Sequence, residues 1–503
     1  MAVEEIGGQS FLSAIVADST DVCGETMLAR VRSIWLAAGL WAAVLGSTLA
    51  QGVVSPPKGD GAGQSVGQSV RNAAQSLSHA AQSAFYVAQS PRSTAQSLRD
   101  AQPYSLPPEK LRQATVLSAI RPALSFGAEF GQIALLWFLL ASGTAARLAR
   151  AISGRTGYSG WRAGLRVLLF SAILVALLFF VVDLTTDAIG HVFSLQYGIS
   201  IEPWPAWLLD QAKTLALTIC LEGPAIALVY GLMRWGWSRR RYWLWFACAS
   251  VPVVLLGTFL LPSVIDPLFN TFEPLARSHP ALVAQLERVV ARTGTSIPPE
   301  RMFLMKASEK TTGLNAYVTG IGASKRIVVW DTTADRMPTD EILFTFAHES
   351  GHYVLNHIPQ GLLFGSAGIF FFFWASAKLA EFLLHRFGAR WRVTELASLP
   401  GLVVLVLAVS LLQIAAEPIG NAFSRHIEHE ADVYGQEAIH GLVADPQKTA
   451  IASFNRLGAA YLDDPSPNRF IVFWTYSHPS TQDRALFAEH YDPWAPGKTP
   501  RFF

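Results

Sequence analysis

Charge is scarce in this sequence. Of 503 residues, 15% are Asp, Glu, Lys or Arg, where soluble domains carry about a quarter. Hydrophobic residues make up 51% and the mean hydropathy is +0.30. An ordinary soluble enzyme is excluded on that balance. Neither sign of charge dominates, with 39 basic against 37 acidic residues and a net charge of +2. That excludes a strongly basic nucleic-acid binder and an acidic disordered chain. Cysteine is scarce too. Cys23, Cys220 and Cys248 are too few for a disulfide scaffold or a cysteine-ligated zinc ribbon. Cys220 and Cys248 lie in apolar runs, where cysteine acts as a small hydrophobe.

Long apolar runs take the place of charge. A bilayer core is crossed by about 20 mostly apolar helical residues. Candidate spans are 33–50, 124–148, 164–187, 208–234, 242–263, 361–385 and 398–420. The 208–234 run carries Lys213, Glu222 and Pro224, so one side of it should face protein or water. Glu222 is there a functional candidate that either lines a water-filled chamber or pairs with Lys213.

The first run differs from the rest. Arg30 and Arg32 precede an apolar stretch that ends in Thr48, Leu49 and Ala50, the pattern of a secretory signal with Met27 as its start. An uncleaved first transmembrane helix fits equally. Residues 51–105 are rich in Ala, Gln and Ser, with Gln68, Gln75, Gln82, Gln89 and Gln96 at heptad spacing. The seam is mostly Ala and Pro91 interrupts it. A flexible linker is favoured over an amphipathic helix.

Arginines cluster between the second and third spans (Arg147, Arg150, Arg155, Arg162, Arg166), the fourth and fifth (Arg234, Arg239, Arg240, Arg241), and the sixth and seventh (Arg386, Arg390, Arg392). The positive-inside rule puts these loops in the cytoplasm. The polar segment 264–360 then lies on the opposite side. With the signal pattern, this places the chain in a bacterial inner membrane with its insert non-cytoplasmic.

The chain thus divides into an N-terminal extension and signal-like segment (1–50), a linker (51–105), transmembrane helices (106–263), an insert (264–360), two more spans (361–420) and a C-terminal region (421–503). Within the insert, 277–294 has helical periodicity. Three short apolar stretches, 302–305, 314–319 and 326–330, predict strands of a small sheet. Thr339, Asp340 and Glu341 then form a helix start, with Thr339 as cap, and the helix is expected to run to about Asn356.

That helix carries His348, Glu349 and His352. Histidines at i and i+4 lie about 40° apart on one face, a spacing at which two imidazoles can hold one zinc ion. Glu349, about 100° round from His348, sits beside such a metal and can act as a base toward water there. Gly351 costs the helix about 1 kcal/mol against Ala, which suggests close packing. A catalytic zinc site needs a third protein ligand and an open position. The polar cluster after the last span offers several: Glu428 and Asp432 share a face, while His426, His429 and Glu430 are rivals. His357 lies about 180° from His348 on a continuous helix and reads as a structural or capping residue.

Together these motifs resemble the type I CAAX prenyl protease family, the integral-membrane zinc metalloproteases. The resemblance covers roughly 104–490. It rests on Tyr104 to Glu109, Asp266 to Asn270, Asn315 to Tyr317, Lys325 to Thr332, the His348 motif extended to Asn356 and His357, Ser424 and Arg425 through Asp432, and Ser477 to Pro479 with Arg484. It implies a mainly α-helical multi-pass bundle of six or seven spans around a chamber, with a small α+β zinc-peptidase insert. The full family number of seven requires that 33–50 be retained. It implies one zinc held by His348, His352 and Glu428, with Asp432 and Arg484 as supporting partners. Glu349 is then the base and His478 the group that steadies the oxyanion. Asn315 and Ala316 match the strand that binds extended substrate.

The partners implied are the lipid bilayer and a peptide or protein substrate, lipidated or membrane-associated, with no nucleic acid. Residues 51–105 match nothing in the family pattern. Two rival readings stand beside CAAX processing. One is a membrane quality-control metalloprotease of the heat-shock type. The other is a transporter or receptor with a structural metal site.

Overall fold

The structure, a computed structural model, describes residues 103–153, 161–235, 240–260, 264–320 and 325–503. The 33–50 run, the signal pattern and the Gln-Ser repeat lie outside the described residues.

Pro107 and Pro108 open helix α1 (Pro108–Ala141), since proline's fixed φ suits a first turn. The helix stops at Ser142, and Gly143 follows at φ +70°, the left-handed geometry that ends helices. Helix α2 (Thr144–Ser153) then restarts the chain. The expected 124–148 span is therefore broken at its end, and the helix that carries it begins earlier, at Pro108. The first turns of α1 dock on the polar half of the molecule, through Ser118 to Asp464 at 2.9 Å and Arg121 to the Tyr461 carbonyl at 2.7 Å.

Helix α3 (Trp161–Leu178) runs through a π-helical turn at Phe179–Asp183 into α4 (Leu184–Gln196). Next come α5 (Trp204–Arg234) and α6 (Tyr242–Leu260). Among the described residues five helical stretches are long and apolar enough to cross a membrane, Pro108–Ala141, Arg162–Gln196, Trp204–Arg234, His357–Trp391 and Leu399–Ala438, with a shorter apolar helix at Tyr242–Val254. Lys213 does not pair with Glu222. Its ammonium reaches Asp210 at 2.8 Å and the Leu268 carbonyl at 2.9 Å.

The insert contains β1 (Phe272–Pro274), α7 (Pro280–Thr293), β2 (Met302–Met305), β3 (Ala316–Thr319) and β4 (Arg326–Trp330). The strands form one sheet in the order β1-β2-β4-β3. β2 and β4 are parallel, and the outer pairs are antiparallel. β3 thus lies at the end of the sheet. Helix α8 (Thr339–Val354) follows. Its N-cap is Pro338 rather than Thr339 and no side chain caps it. Proline's extended geometry sets the helix entry, and Asp340 and Glu341 favour the first turn by charge.

The chain turns at Asn356 (φ +59°) directly into α9 (His357–Trp391). Helix α10 (Leu399–Ala438) is 40 residues long. Its start is capped by Ser398, whose hydroxyl accepts from the Gly401 N–H at 3.1 Å. The division at 420/421 falls inside this unbroken helix, so the last span and the polar cluster after it are one element. Helices α11 (Pro446–Tyr461), α12 (Arg469–Thr475) and α13 (Thr481–His490) complete the fold.

Two apolar cores result. One joins α1, α3, α5, α9 and α10 through residues such as Leu140, Phe170, Met233, Ala380 and Leu407. The other joins the sheet, α7, α8, α11, α13 and the far end of α10 through Leu286, Val329, Phe346, Tyr434 and Phe454. Helices α1 and α10 contribute to both.

Candidate metal centre and active site

Helices α8 and α10 cross closely because each carries a glycine at the contact. A Cβ on Gly351 would lie 3.0 Å from Tyr434 Cδ1, and one on Gly435 would lie 3.0 Å from the His348 backbone nitrogen. The helix cost of Gly351 is thus offset by a close approach that a larger residue would crowd.

This crossing brings the candidate ligands together. His348 Nε2 lies 3.3 Å from His352 Nε2 and 3.3 Å from Glu428 Oε2, and His352 Nε2 lies 3.4 Å from Glu428 Oε1. Ligands about 2.0–2.1 Å from one tetrahedral zinc ion stand about 3.3–3.4 Å apart. The observed triangle has that edge. Glu428 is 0% exposed, and neither carboxylate oxygen accepts a protein hydrogen bond of ordinary geometry. A buried carboxylate left in that state is costly, and a cation between it and two imidazoles removes the cost. The donor set of two nitrogens and one oxygen suits zinc, so the residues fit the ion.

The rival third ligands differ in exposure and direction. His426 and His429 are exposed on α10, and the His429 ring stacks edge-on with Phe487. Glu430 points away toward His357. Glu428 faces the Nε2 atoms of both imidazoles.

His348 is buried, which pushes its imidazole below the ordinary histidine value, with the Asp432 contact opposing. It is therefore neutral, the ligating form. Its Nδ1 faces Asp432 Oδ1 at 2.9 Å. Arg484 grips the same carboxylate with two N–H groups, Nε at 2.9 Å and a terminal nitrogen at 2.6 Å, and stacks over Phe454. Arg484 also comes within 3.9 Å of Glu428. His478 enters from the segment between α12 and α13, its Nε2 3.2 Å from Glu428 Oε2 and its Nδ1 3.0 Å from Ser477 Oγ. Glu349 is buried on α8 beside His348.

Asn315 lies just before β3, and its main chain exchanges hydrogen bonds with the Thr333 hydroxyl at 2.7 and 2.8 Å. Ala316 is the first residue of β3, paired with Val329 on one side. The end strand of the sheet is tied to the catalytic helix by Tyr353, whose hydroxyl donates to the Gly320 carbonyl at 3.0 Å.

His357 is not part of the ligand triangle, yet it lies nearer to it than a continuous helix would place it. The turn at Asn356 swings it back, so that its Nδ1 is 3.0 Å from His352 Nδ1. The wheel argument assumed one continuous helix. The available signal was Asn356 itself, a residue that tolerates positive φ, with Pro359 two residues into a new helix. Two further residues of the polar cluster carried no assigned role. Arg425 holds the carbonyls of Val472 and Tyr476 at 3.2 and 2.6 Å, and Asn421 donates to the Trp474 carbonyl. They clamp the end of α12, from which the His478 segment departs.

An apolar helical bundle joined to a buried His-His-Glu centre defines a membrane-embedded metallopeptidase. Comparison with known proteins agrees. Residues 97–271 match the family described as CAAX prenyl protease N-terminal, five membrane helices, and 276–492 match peptidase family M48. The chain is 33% identical over 325 residues to the uncharacterized metalloprotease YhfN of Bacillus subtilis, covering 63% of this chain and 72% of that protein. It is 31% identical over 195 residues to CAAX prenyl protease 1 of Saccharomyces cerevisiae, 38% of this chain and 42% of that protein. The crystal structure of S. mikatae Ste24p shares the fold with a TM-score of 0.60 at 22% identity, covering 78% of this chain and 94% of that one. The chain belongs to the type I CAAX prenyl protease family of M48 metallopeptidases. The transporter, receptor and heat-shock-type readings are not favoured by these matches.

Proposed function

We propose that this protein is a zinc endopeptidase of the membrane in which His348, His352 and Glu428 hold one zinc ion. The observation that carries this reading is the triangle of ligand atoms with edges of 3.3, 3.3 and 3.4 Å around a buried carboxylate lacking hydrogen bonds. When bound, zinc polarises the scissile carbonyl and acidifies water at the site.

The chain's own residues do the rest. Glu349 takes the proton of the attacking water and returns it to the leaving amine, the general acid-base role of a buried carboxylate beside the centre. His478 Nε2 donates to the oxyanion that develops on the substrate carbonyl, a contribution of about 2.7–4 kcal/mol in comparable sites. Asp432, held by Arg484, orients the His348 ring. An extended substrate adds to the end strand β3, main chain to main chain, beginning near Asn315 and Ala316.

The substrate class we propose is a membrane-associated polypeptide. The signal-like pattern argues for a bacterial inner membrane, and the arginine-rich loops for a catalytic insert opposite the cytoplasm. Relatives carry the name CAAX prenyl protease. A prenylated peptide assayed beside an unlipidated peptide and an unfolded protein tests whether lipid is needed.

The central test is Glu349→Gln in detergent-purified protein. It should keep one zinc per chain by elemental analysis and lose peptidase activity by a factor of about 10²–10⁴. A variant with full activity overturns the assignment of the base.

A further inference from the structure

The two ligand imidazoles are supported in different ways. His348 Nδ1 meets a carboxylate, Asp432, that Arg484 holds in turn. His352 turns its Nδ1 elsewhere. It meets another imidazole, His357 Nδ1, at 3.0 Å. The two rings stand with centroids 5.1 Å apart and planes at 68°, an arrangement that aims a nitrogen at a nitrogen rather than stacking faces.

Two nitrogens at that distance share one proton. His352 Nε2 faces Glu428 and His348 Nε2, so its lone pair belongs to the centre and its proton to Nδ1. His357 Nδ1 must then accept, which puts the His357 proton on Nε2. That nitrogen lies 3.4 Å from Glu430 Oε2, within ion-pair distance but outside ordinary hydrogen-bond geometry. The other Glu430 oxygen accepts from the Arg501 guanidinium. His357 is 2% exposed and sits at the first position of α9, where the Asn356 turn returns the chain toward α8.

We propose that His357 is a positioning residue: it accepts the His352 Nδ1 proton and, through Glu430 and Arg501, fixes the tautomer and ring angle of a metal ligand. The centre then rests on two parallel chains, His348–Asp432–Arg484 and His352–His357–Glu430–Arg501. In the second, a neutral acceptor stands where the first has an anion. The proposal deepens the zinc reading and rests on it.

The test measures zinc affinity of the full-length protein in detergent by competition with a chelator, and the visible spectrum of the cobalt-substituted protein. His357→Leu removes the acceptor and should weaken zinc about 10–100-fold and alter the cobalt bands. His357→Asn places a side-chain oxygen close to the lost Nδ1 and should recover most of the affinity and the native spectrum. Equal weakening by both variants would reduce His357 to a packing residue and overturn the proposal, as would unchanged affinity in His357→Leu. Should the leucine variant fail to fold, Glu430→Ala carries the test: a severalfold weaker zinc affinity supports the chain, and an unchanged one overturns it. His348→Ala separates the two layers. Zinc lost there but kept in His357→Leu overturns this inference alone, whereas zinc kept in His348→Ala overturns the ligand reading and this inference with it.

Discussion

Helix α10 lives in two environments. From Leu399 to about Ala408 its buried residues are Leu, Val, Ala and Gly, packed into the apolar core shared with α1, α3, α5 and α9. From Ala431 to Ala438 every residue is buried, Asp432, Gln436 and Glu437 among them. There each buried polar side chain has a distant partner. Asp432 is bound by Arg484. Gln436 donates to the carbonyls of Ala488 and Tyr491 at 3.2 and 2.8 Å. Glu437 accepts from the Arg501 and Phe502 N–H groups at 2.6 and 2.7 Å and from the Tyr491 hydroxyl.

The difference shows how one helix can span both regimes. Apolar burial next to lipid is non-directional and asks only for fit, because lipid is as apolar as the neighbouring helices. Polar burial asks for specific partners at hydrogen-bond distance, since an unpaired group costs about 1–3 kcal/mol and more if charged. The catalytic half is therefore specified by contacts from far along the chain, and the membrane half by composition.

The comparison predicts unequal responses. The largest is expected for Arg484→Leu, which strands the Asp432 carboxylate in a dry site. Loss of one partner of a buried pair costs about 3–5 kcal/mol, read as a lower unfolding temperature of the detergent-solubilised protein together with weaker zinc binding. A change confined to the zinc affinity would mean that the pair orients without stabilising.

Next comes Gly435→Ala. Its Cβ would press on the His348 backbone at 3.0 Å, and overpacking of this kind costs about 1–3 kcal/mol. The thermal midpoint should fall and zinc affinity with it, because the ligand helix is displaced. Leu407→Ala probes the membrane half. The side chain is 0% exposed, and in a soluble core its loss would cost about 2–5 kcal/mol. Between lipid-bathed helices only the packing part of that remains, so the measured loss should be the smaller, under about 2 kcal/mol. A loss as large as for Arg484→Leu would erase the distinction between the two halves. Smallest is Ser398→Ala, which removes the cap at the start of α10 at a cost of about 1 kcal/mol and should leave zinc affinity unchanged.

Much of the architecture was legible in advance. The strands at 302–305 and 326–330 and the helices near 277–294 and 339–354 follow from local periodicity, which tertiary contacts reinforced here. Errors arose where a single dihedral decides the path. Gly143 ended a helix that hydropathy ran onward, and the turn at Asn356, near the expected helix end, carried His357 back toward that helix. Hydropathy also divided α10 at its change of composition, although a helix propagates through such a change when both sides are buried.

His348, Glu349 and His352 needed nothing beyond spacing, because a helix places i and i+4 on one face whatever surrounds it. The choice among Glu428, His426, His429 and Glu430 did not yield to spacing, since it depends on which face of α10 meets α8. The role of His357 depended on a turn. The sequence by itself therefore determined the solvent in which the chain lives, the metal motif and the kind of chemistry it supports, all of which follow from composition and short-range geometry. Only the tertiary structure brings Glu428 to the two imidazoles, with Asp432 and Arg484 beside them as the resemblance implied, because that meeting is made by the crossing of two glycine-bearing helices and no local rule carries that angle.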